Sequence, residues 1–288
     1  MTNAPIIFDD ALLQKHRARA LRALNDDSLF LWNELAGRLT DRLGDIRRDF
    51  PYMLEIGSHH GGLKEKLAGK HGITQHIQQE QYTSQQASHH VEANQEQLPI
   101  KPYSMDLVVS IASLHWVNDL PGCLMQCLHA LKPDGVFLAL IPGEQTLYEL
   151  RESLDAAMLE CSGGISPRVS PMLTMQDASA LTQRAGFALP MIDRERIDVS
   201  YSSPMKLLYD LRAMGQTNAL MQRSGTPLTK RIVEKTCAHY AEHFKHPEGG
   251  VCATFDIITI TGWAPEKSQP KPLARGSAEL SMKDILSN

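Results

Sequence analysis

From Tyr52 onward this chain alternates short apolar runs with stretches of helical periodicity, and that alternation leaves few architectures open to it. The runs Tyr52 to Ile56, Ile73 to Ile77, Met105 to Ile111 and Gly135 to Ile141 have strand length. Between them, Leu63 to Ala68 and Leu120 to Leu131 space their apolar residues as a helix does. Strands that alternate with helices build a parallel sheet covered by helices on both faces, so an α/β fold is expected.

The first strand runs into Glu55-Ile-Gly-Ser-His-His-Gly-Gly62, the way a loop that cradles a nucleotide-type cofactor begins. In such loops the first glycine makes the strand-to-helix turn and a second lets the backbone approach the ligand. Gly57 and Gly61 fit that pattern, whereas His59 stands in the middle place. A side chain there costs roughly 1 to 3 kcal/mol if the backbone needs glycine's freedom.

Flanking segments extend the pattern. Residues 10 to 24 and 27 to 47 read as two amphipathic helices ahead of the sheet. The turn Lys132-Pro-Asp-Gly135 separates a helix from the fourth long apolar run. Helices are expected near Gln145 to Cys161, Met175 to Ala185, Pro204 to Met214 and Lys230 to Phe244, then a last strand, Val251 to Gly262. The division expected is an N-terminal helical segment over 1–50, a main domain over 51–263 with a helical cap at about 200–247, and a Pro, Lys and Ser-rich flexible tail over 264–288.

A formal charge of -4 gives no basic footprint for nucleic acid. No apolar run nears the roughly 20 residues that span a bilayer, and no secretion signal is read at the N-terminus, so an intracellular protein is expected. Five cysteines do not make a disulfide scaffold, and Cys123 with Cys127, four apart on a helix, read as packing. His90-x-Glu92 and His246-x-Glu248 have part of a metal spacing but are short enough to arise by chance, and the His239/His243 pair reads as a solvated helix face, so no metal site is expected.

Several strings together are similar to one family: Leu98-Pro-Ile, Asp106-Leu-Val-Val-Ser110, Leu114-His-Trp-Val-Asn-Asp-Leu-Pro121, Leu131-Lys-Pro-Asp-Gly-Val-Phe137, Thr146-Leu-Tyr-Glu-Leu-Arg151, Gly163-Gly-Ile-Ser-Pro167 and Ala253-Thr-Phe255. They resemble the class I S-adenosylmethionine-dependent methyltransferase superfamily. More narrowly they resemble the methyltransferase-like assembly factors of respiratory complex I and their alphaproteobacterial counterparts, relatives of the malonyl-carrier-protein methyltransferase of biotin synthesis. The match runs from about residue 6 to residue 263.

That resemblance implies an α/β, Rossmann-like fold, a mostly parallel seven-stranded sheet with helices on both faces, a helical insertion before the last strand and that strand antiparallel, with S-adenosylmethionine as cofactor. It implies cofactor contacts from Glu55, Gly57, Ser58, His59 and Gly61, from Ile77 and Gln78 on the second strand, from Asn94 and Gln95, and from Ile111, His115 and Trp116. The ribose-binding acid of the family falls at Ile77 by register, with Glu80 a few residues late. Its loss is worth about tenfold to more than a hundredfold in affinity.

His115 and Trp116 follow a strand at the carboxyl edge, where open α/β sheets bind ligands, and stand either in a pocket or in the fold's packing. His115, Tyr148 and Arg151 are the candidates for catalysis; Tyr148, Arg151 and Arg168 face a substrate or make local contacts. Glu149 and Asp155 would suit an arginine-bearing partner.

The resemblance further implies a protein substrate in a complex I core subunit, peripheral association with a membrane complex, and a bacterial cytoplasmic or mitochondrial matrix location. Members are described as arginine hydroxylases on a methyltransferase fold. An acyl-carrier or small-molecule methyltransferase and a non-catalytic assembly scaffold remain the other readings, the latter favoured by His59 and Ile77.

Overall fold

The computed structural model describes residues 6–23, 29–58, 62–81, 90–223 and 228–270. Its helices are α1 (Asp10–Arg22), α2 (Phe30–Gly44), α3 (Leu63–Lys66), α4 (Leu120–Ala130), α5 (Tyr148–Ser162), α6 (Met175–Ala185), α7 (Pro204–Ala213) and α8 (Lys230–His243). Its strands are β1 (Tyr52–Ile56), β2 (Gln75–Glu80), β3 (His90–Glu92), β4 (Met105–Ile111), β5 (Leu131–Pro142), β6 (Ala188–Tyr201) and β7 (Val251–Trp263).

The strands form one sheet in the order β3-β2-β1-β4-β5-β7-β6. Pairing is parallel from β3 to β5, and β7 lies antiparallel to both β5 and β6. The fold expected from the alternation and from the resemblance is therefore the fold found.

Successive side chains of a strand leave on opposite faces. Met53 enters a core with Leu35, Leu39, Leu107 and Leu150, whereas its neighbour Leu54 enters a second with Val108, Leu124, Phe137 and Ile260. Helices thus cover both faces, and β1, β4 and β5 read as continuous apolar runs because neither of their sides meets water. Cys123 and Cys127 are wholly buried in the second core. Its hydrogen bond with Cys123, and then burial, pushes the Cys127 thiol well up.

Local sequence sets the helix ends. Asp9, Asp119, Thr174, Ser203 and Thr229 each cap a helix by accepting a backbone N–H with the side chain. Pro121 and Pro204 occupy first-turn positions, where the missing N–H costs nothing. Gly186 closes α6 at φ +95°, a conformation that a side chain would strain.

Several expectations shift. The second strand runs over Gln75–Glu80 rather than 73–77. Ile73 and Thr74 belong to the preceding turn, with their N–H groups on Lys70 and Pro51 carbonyls, and the strand's polar end carries no apolar signal. Lys132-Pro-Asp-Gly135 is a bulge inside β5, where the register against β4 jumps from Leu131 to Val136.

The resemblance implies seven strands, but the edge strand β6 was not located in the residues themselves. Its burial alternates, but Asp193, Arg194, Glu195, Arg196 and Asp198 break the apolar pattern. Arg42 of α2 holds Asp193 at 2.6 Å and Glu195 at 2.9 Å, and such charges are a common guard on a sheet edge.

Two helices, α7 and α8, stand between β6 and β7, where a helical insertion was expected. The second N-terminal helix is shorter than the 27–47 expected, beginning at Phe30; residues 24–28, like 271–288 of the expected tail, lie outside the described residues. Among the described residues no helix is long and apolar enough to cross a membrane.

Candidate functional site

The carboxyl ends of β1, β2 and β4 meet at Gly57. Its N–H donates to the Gln79 carbonyl at 2.9 Å and its φ is +70°. A Cβ there would sit 1.9 Å from Ser113 Oγ and 2.8 Å from Gln95 Nε2, so only glycine allows β1 to turn this close to β4. Ser58 follows, buried, with its N–H also toward Gln79. His59 and Gly61, singled out by the loop pattern, lie outside the described residues.

Glu55 is buried on β1, two residues before Gly57. Its Oε2 accepts from His76 Nε2 at 2.9 Å and from Gln78 Nε2 at 3.1 Å, which ties β1 to β2 and engages Gln78 as well. Ile77 pairs with Leu54 in mid-strand. The end of β2 carries Glu80 instead, buried, with Oε1 accepting the Gln81 N–H at 2.9 Å.

Beyond β3, Asn94 Oδ1 accepts the Glu96 N–H at 2.8 Å and its Nδ2 reaches Asp10 at 3.3 Å. Burial, then the charge of Glu96, raises the Asp10 pKa above the usual carboxylate value. Gln95 is buried and donates to Ser113 Oγ. Ile111 packs in the core shared with α5.

After β4 the chain passes Ala112, at φ +46°, into one 3-10 turn, Leu114–Trp116. His115 and Trp116 are buried there and both reach Gln216 Oε1, which accepts from Trp116 Nε1 at 2.8 Å and stands 3.1 Å from His115 Nε2. A carbonyl oxygen only accepts, so this contact places the His115 proton on Nε2.

The N-terminal segment closes over this edge. Asn118 Oδ1 accepts the N–H groups of Ile7 and Phe8 at 2.8 Å each, and Phe8 meets Trp116 edge-on with centroids 5.1 Å apart. Asp9 pairs with Arg223 at 2.7 Å. From the closed helix, Arg17 extends a buried guanidinium 3.2 Å from Glu80 Oε1 and 3.4 Å from Ser113 Oγ.

Beneath this roof lies a cavity of about 180 Å³. Arg17, Glu80, His115 and Arg168 are on its polar side; Trp32, Leu147, Leu150, Leu211 and Phe255 make the apolar side. A smaller recess brings Asn94, Gln95 and Asp10 beside Arg17 and Trp116.

Other sequence candidates sit elsewhere. Tyr148 packs edge-on to Phe244 at 5.8 Å, and Arg151 Nη2 donates to the Glu144 carbonyl at 3.1 Å; neither lines the cavity. Thr146, Leu147 and Leu150 of the same string do. Glu149 is wholly buried and accepts from Thr254, an anchor of the fold. Burial raises the Asp155 pKa.

His239 and His243 stack at 4.1 Å, with His239 Nδ1 on Ser153 Oγ and His243 Nδ1 on the His239 carbonyl. His246 Nδ1 accepts the Glu248 N–H. His90 and Glu92 lie on β3. Among the described residues no three metal-ligating side chains cluster.

Sequence reading missed Arg17 and Gln216. Arg17 left one signal, an arginine on the same stripe as Leu13 and Ala20, the buried face of α1.

A family described as a methyltransferase domain matches residues 54–139, from β1 into β5. The arginine-hydroxylase NDUFAF5 of Danio rerio is 35% identical over 287 residues, covering 97% of this chain and 89% of that protein. The chain belongs to the NDUFAF5 family. The Homo sapiens NDUFAF5 is 37% identical over 97% of this chain and 83% of its own length. NDUFAF5 similarity thus runs through the N-terminal helices and through α7 and α8, outside the methyltransferase-domain match. In shape the chain is similar to the YcgJ protein of Bacillus subtilis, with a TM-score of 0.55, 14% identity, and coverage of 81% of this chain and 99% of that one.

Proposed function

We propose that this NDUFAF5-family protein binds S-adenosylmethionine, or a derivative of it, at the carboxyl edge of β1, β2 and β4 and acts on a protein side chain during assembly of respiratory complex I. The observation that carries this reading is Glu80: a buried carboxylate at the end of β2, beside the Gly57 turn, on the wall of a cavity that continues into an apolar chamber.

The residues fit the cofactor. Glu80 offers acceptors for both hydroxyls of a ribose, Gly57 keeps the backbone free of a side chain where the loop begins, and the amides of Asn94 and Gln95 suit a purine edge. When bound, the sulfonium supplies an activated carbon, so positioning is the protein's main contribution.

His115, fixed by Gln216, and the walls formed by Trp32, Leu150 and Phe255 would orient the acceptor and exclude water. NDUFAF5 relatives are named arginine-hydroxylases, so an arginine side chain of a complex I core subunit heads the acceptors to test. The site of action would be the bacterial cytoplasm or the mitochondrial matrix, with peripheral contact to the membrane complex.

A second reading, an assembly factor that works without the cofactor, draws support from the guanidinium of Arg17 already seated on Glu80. Deleting the gene and restoring it as wild type or as Glu80→Gln separates the two. The cofactor reading expects assembled complex I to fall on deletion, with no requirement for biotin, and to stay low with Glu80→Gln. Full rescue by Glu80→Gln would favour the scaffold, and biotin auxotrophy would favour an acyl-carrier methyltransferase.

A further inference from the structure

Arg17 cannot withdraw from the cavity with its helix unless several contacts open. Asp9 at the helix start is paired to Arg223 at 2.7 Å, and the N–H groups of Ile7 and Phe8 are held by Asn118. On the other side, Gly215, at φ +76°, lies so close that a Cβ there would come within 3.3 Å of the Ala20 Cβ and 3.5 Å of the Arg17 Cα. The helix is clamped at its start and again at the turn that carries Arg17.

A ligand whose ribose takes Glu80 therefore leaves the guanidinium in place and short of its counter-charge. The side chain is 7% exposed, and a buried charge that loses its partner is strongly penalised. A ligand that brings an anion of its own removes that penalty. A simple nucleoside cannot do so.

Building on the cofactor reading above, the geometry points to Arg17 as the residue that holds the carboxylate of the cofactor's amino-acid arm, exchanging Glu80 for that carboxylate as the ribose engages Glu80. The ligand class selected is a nucleoside carrying both a free ribose diol and a carboxylate. Arg17 thus sets specificity for the whole amino-acid nucleoside. The N-terminal helix, outside the methyltransferase-domain match, becomes part of the binding site.

Calorimetry with two nucleosides tests this. S-adenosylhomocysteine carries the carboxylate; 5′-methylthioadenosine has the same adenine and ribose without it. Wild type should bind the first more tightly by about ten- to a hundredfold, the worth of a hydrogen-bonded charge. In Arg17→Gln that gap should close, because S-adenosylhomocysteine weakens while 5′-methylthioadenosine holds or improves. Arg17→Lys should keep part of the gap, and it supplies the comparison if Arg17→Gln does not fold.

Equal weakening of both ligands, with the gap unchanged, would overturn the inference and leave the cofactor reading standing. Tighter binding of both would make Arg17 a plug and overturn it equally. If wild type binds neither nucleoside, the cofactor reading falls and the inference with it.

Discussion

Trp116 donates its indole N–H to Gln216 at 2.8 Å, joining the 3-10 turn after β4 to the segment after α7 across 100 residues of sequence. That bond, with the His115 contact to the same oxygen, holds the site's aromatic floor against its roof. Gln216→Leu removes the acceptor from two buried donors and should cost about 1 to 3 kcal/mol of stability. Urea denaturation followed by tryptophan fluorescence measures it. An unchanged midpoint would mean that the bond contributes nothing.

Gly57→Ala should be poorly tolerated. The turn is at φ +70° and a Cβ would land 1.9 Å from Ser113 Oγ, so strain and steric overlap together cost more than about 1 to 3 kcal/mol. The variant should show a lowered thermal midpoint and no cofactor binding. Gly69, also at positive φ but with open space around its Cβ position, is the comparison: Gly69→Ala should show only the smaller backbone penalty.

His16 on α1 gives the roof a pH dependence. Burial first, then the charge of Arg19, lowers its pKa below the ordinary 6.5. Between the folded pKa and 6.5 the unfolded chain binds the proton and the folded one does not. Stability therefore rises with pH across that window, is fully present above 6.5, and is lost as pH falls through the folded value. His16→Gln should flatten the difference in urea midpoint between pH 7.5 and pH 5.5. Equal pH slopes in wild type and variant would remove His16 as the cause.

The charged edge should matter modestly. Arg42 bridges α2 to Asp193 and Glu195 of β6, with carboxylates about one-third to one-half exposed. Arg42→Ala should lower stability by about 0.5 to 1 kcal/mol, less in high salt, because exposed pairs are screened. A denaturation series from 0.05 to about 1 M salt reads this, and a loss that does not respond to salt would point to packing of the side-chain stem instead.

Much of the sheet was legible because its central strands are buried on both faces: β1 and β4 begin and end where their apolar runs do, and α6 lies between its Thr174 cap and Gly186. The edges were not legible in the same way. The β2 strand ends in Gln78-Gln-Glu80 and β6 carries five charges, so composition hides strands that hydrogen bonding with neighbours makes. Glu80 was displaced with its strand.

The roof of the site was hidden for a different reason. Arg17 and Glu80 are 63 residues apart, and His115 and Gln216 are 101 apart, so no local pattern links them. The strings after β4 and β5 both contribute residues to the wall of the cavity. Within Thr146-Leu-Tyr-Glu-Leu-Arg151, helical geometry turns Leu147 and Leu150 to the cavity while Tyr148 and Arg151 meet other parts of the protein.

The central claim, that Glu80 and the Gly57 turn form a working cofactor site, is tested most directly by titrating S-adenosylmethionine into purified wild type and Glu80→Gln by isothermal calorimetry. The account predicts micromolar binding to wild type, weakened about tenfold to more than a hundredfold in Glu80→Gln by the lost charged hydrogen bonds. No heat of binding to wild type up to millimolar ligand, or equal affinity in the variant, would contradict it.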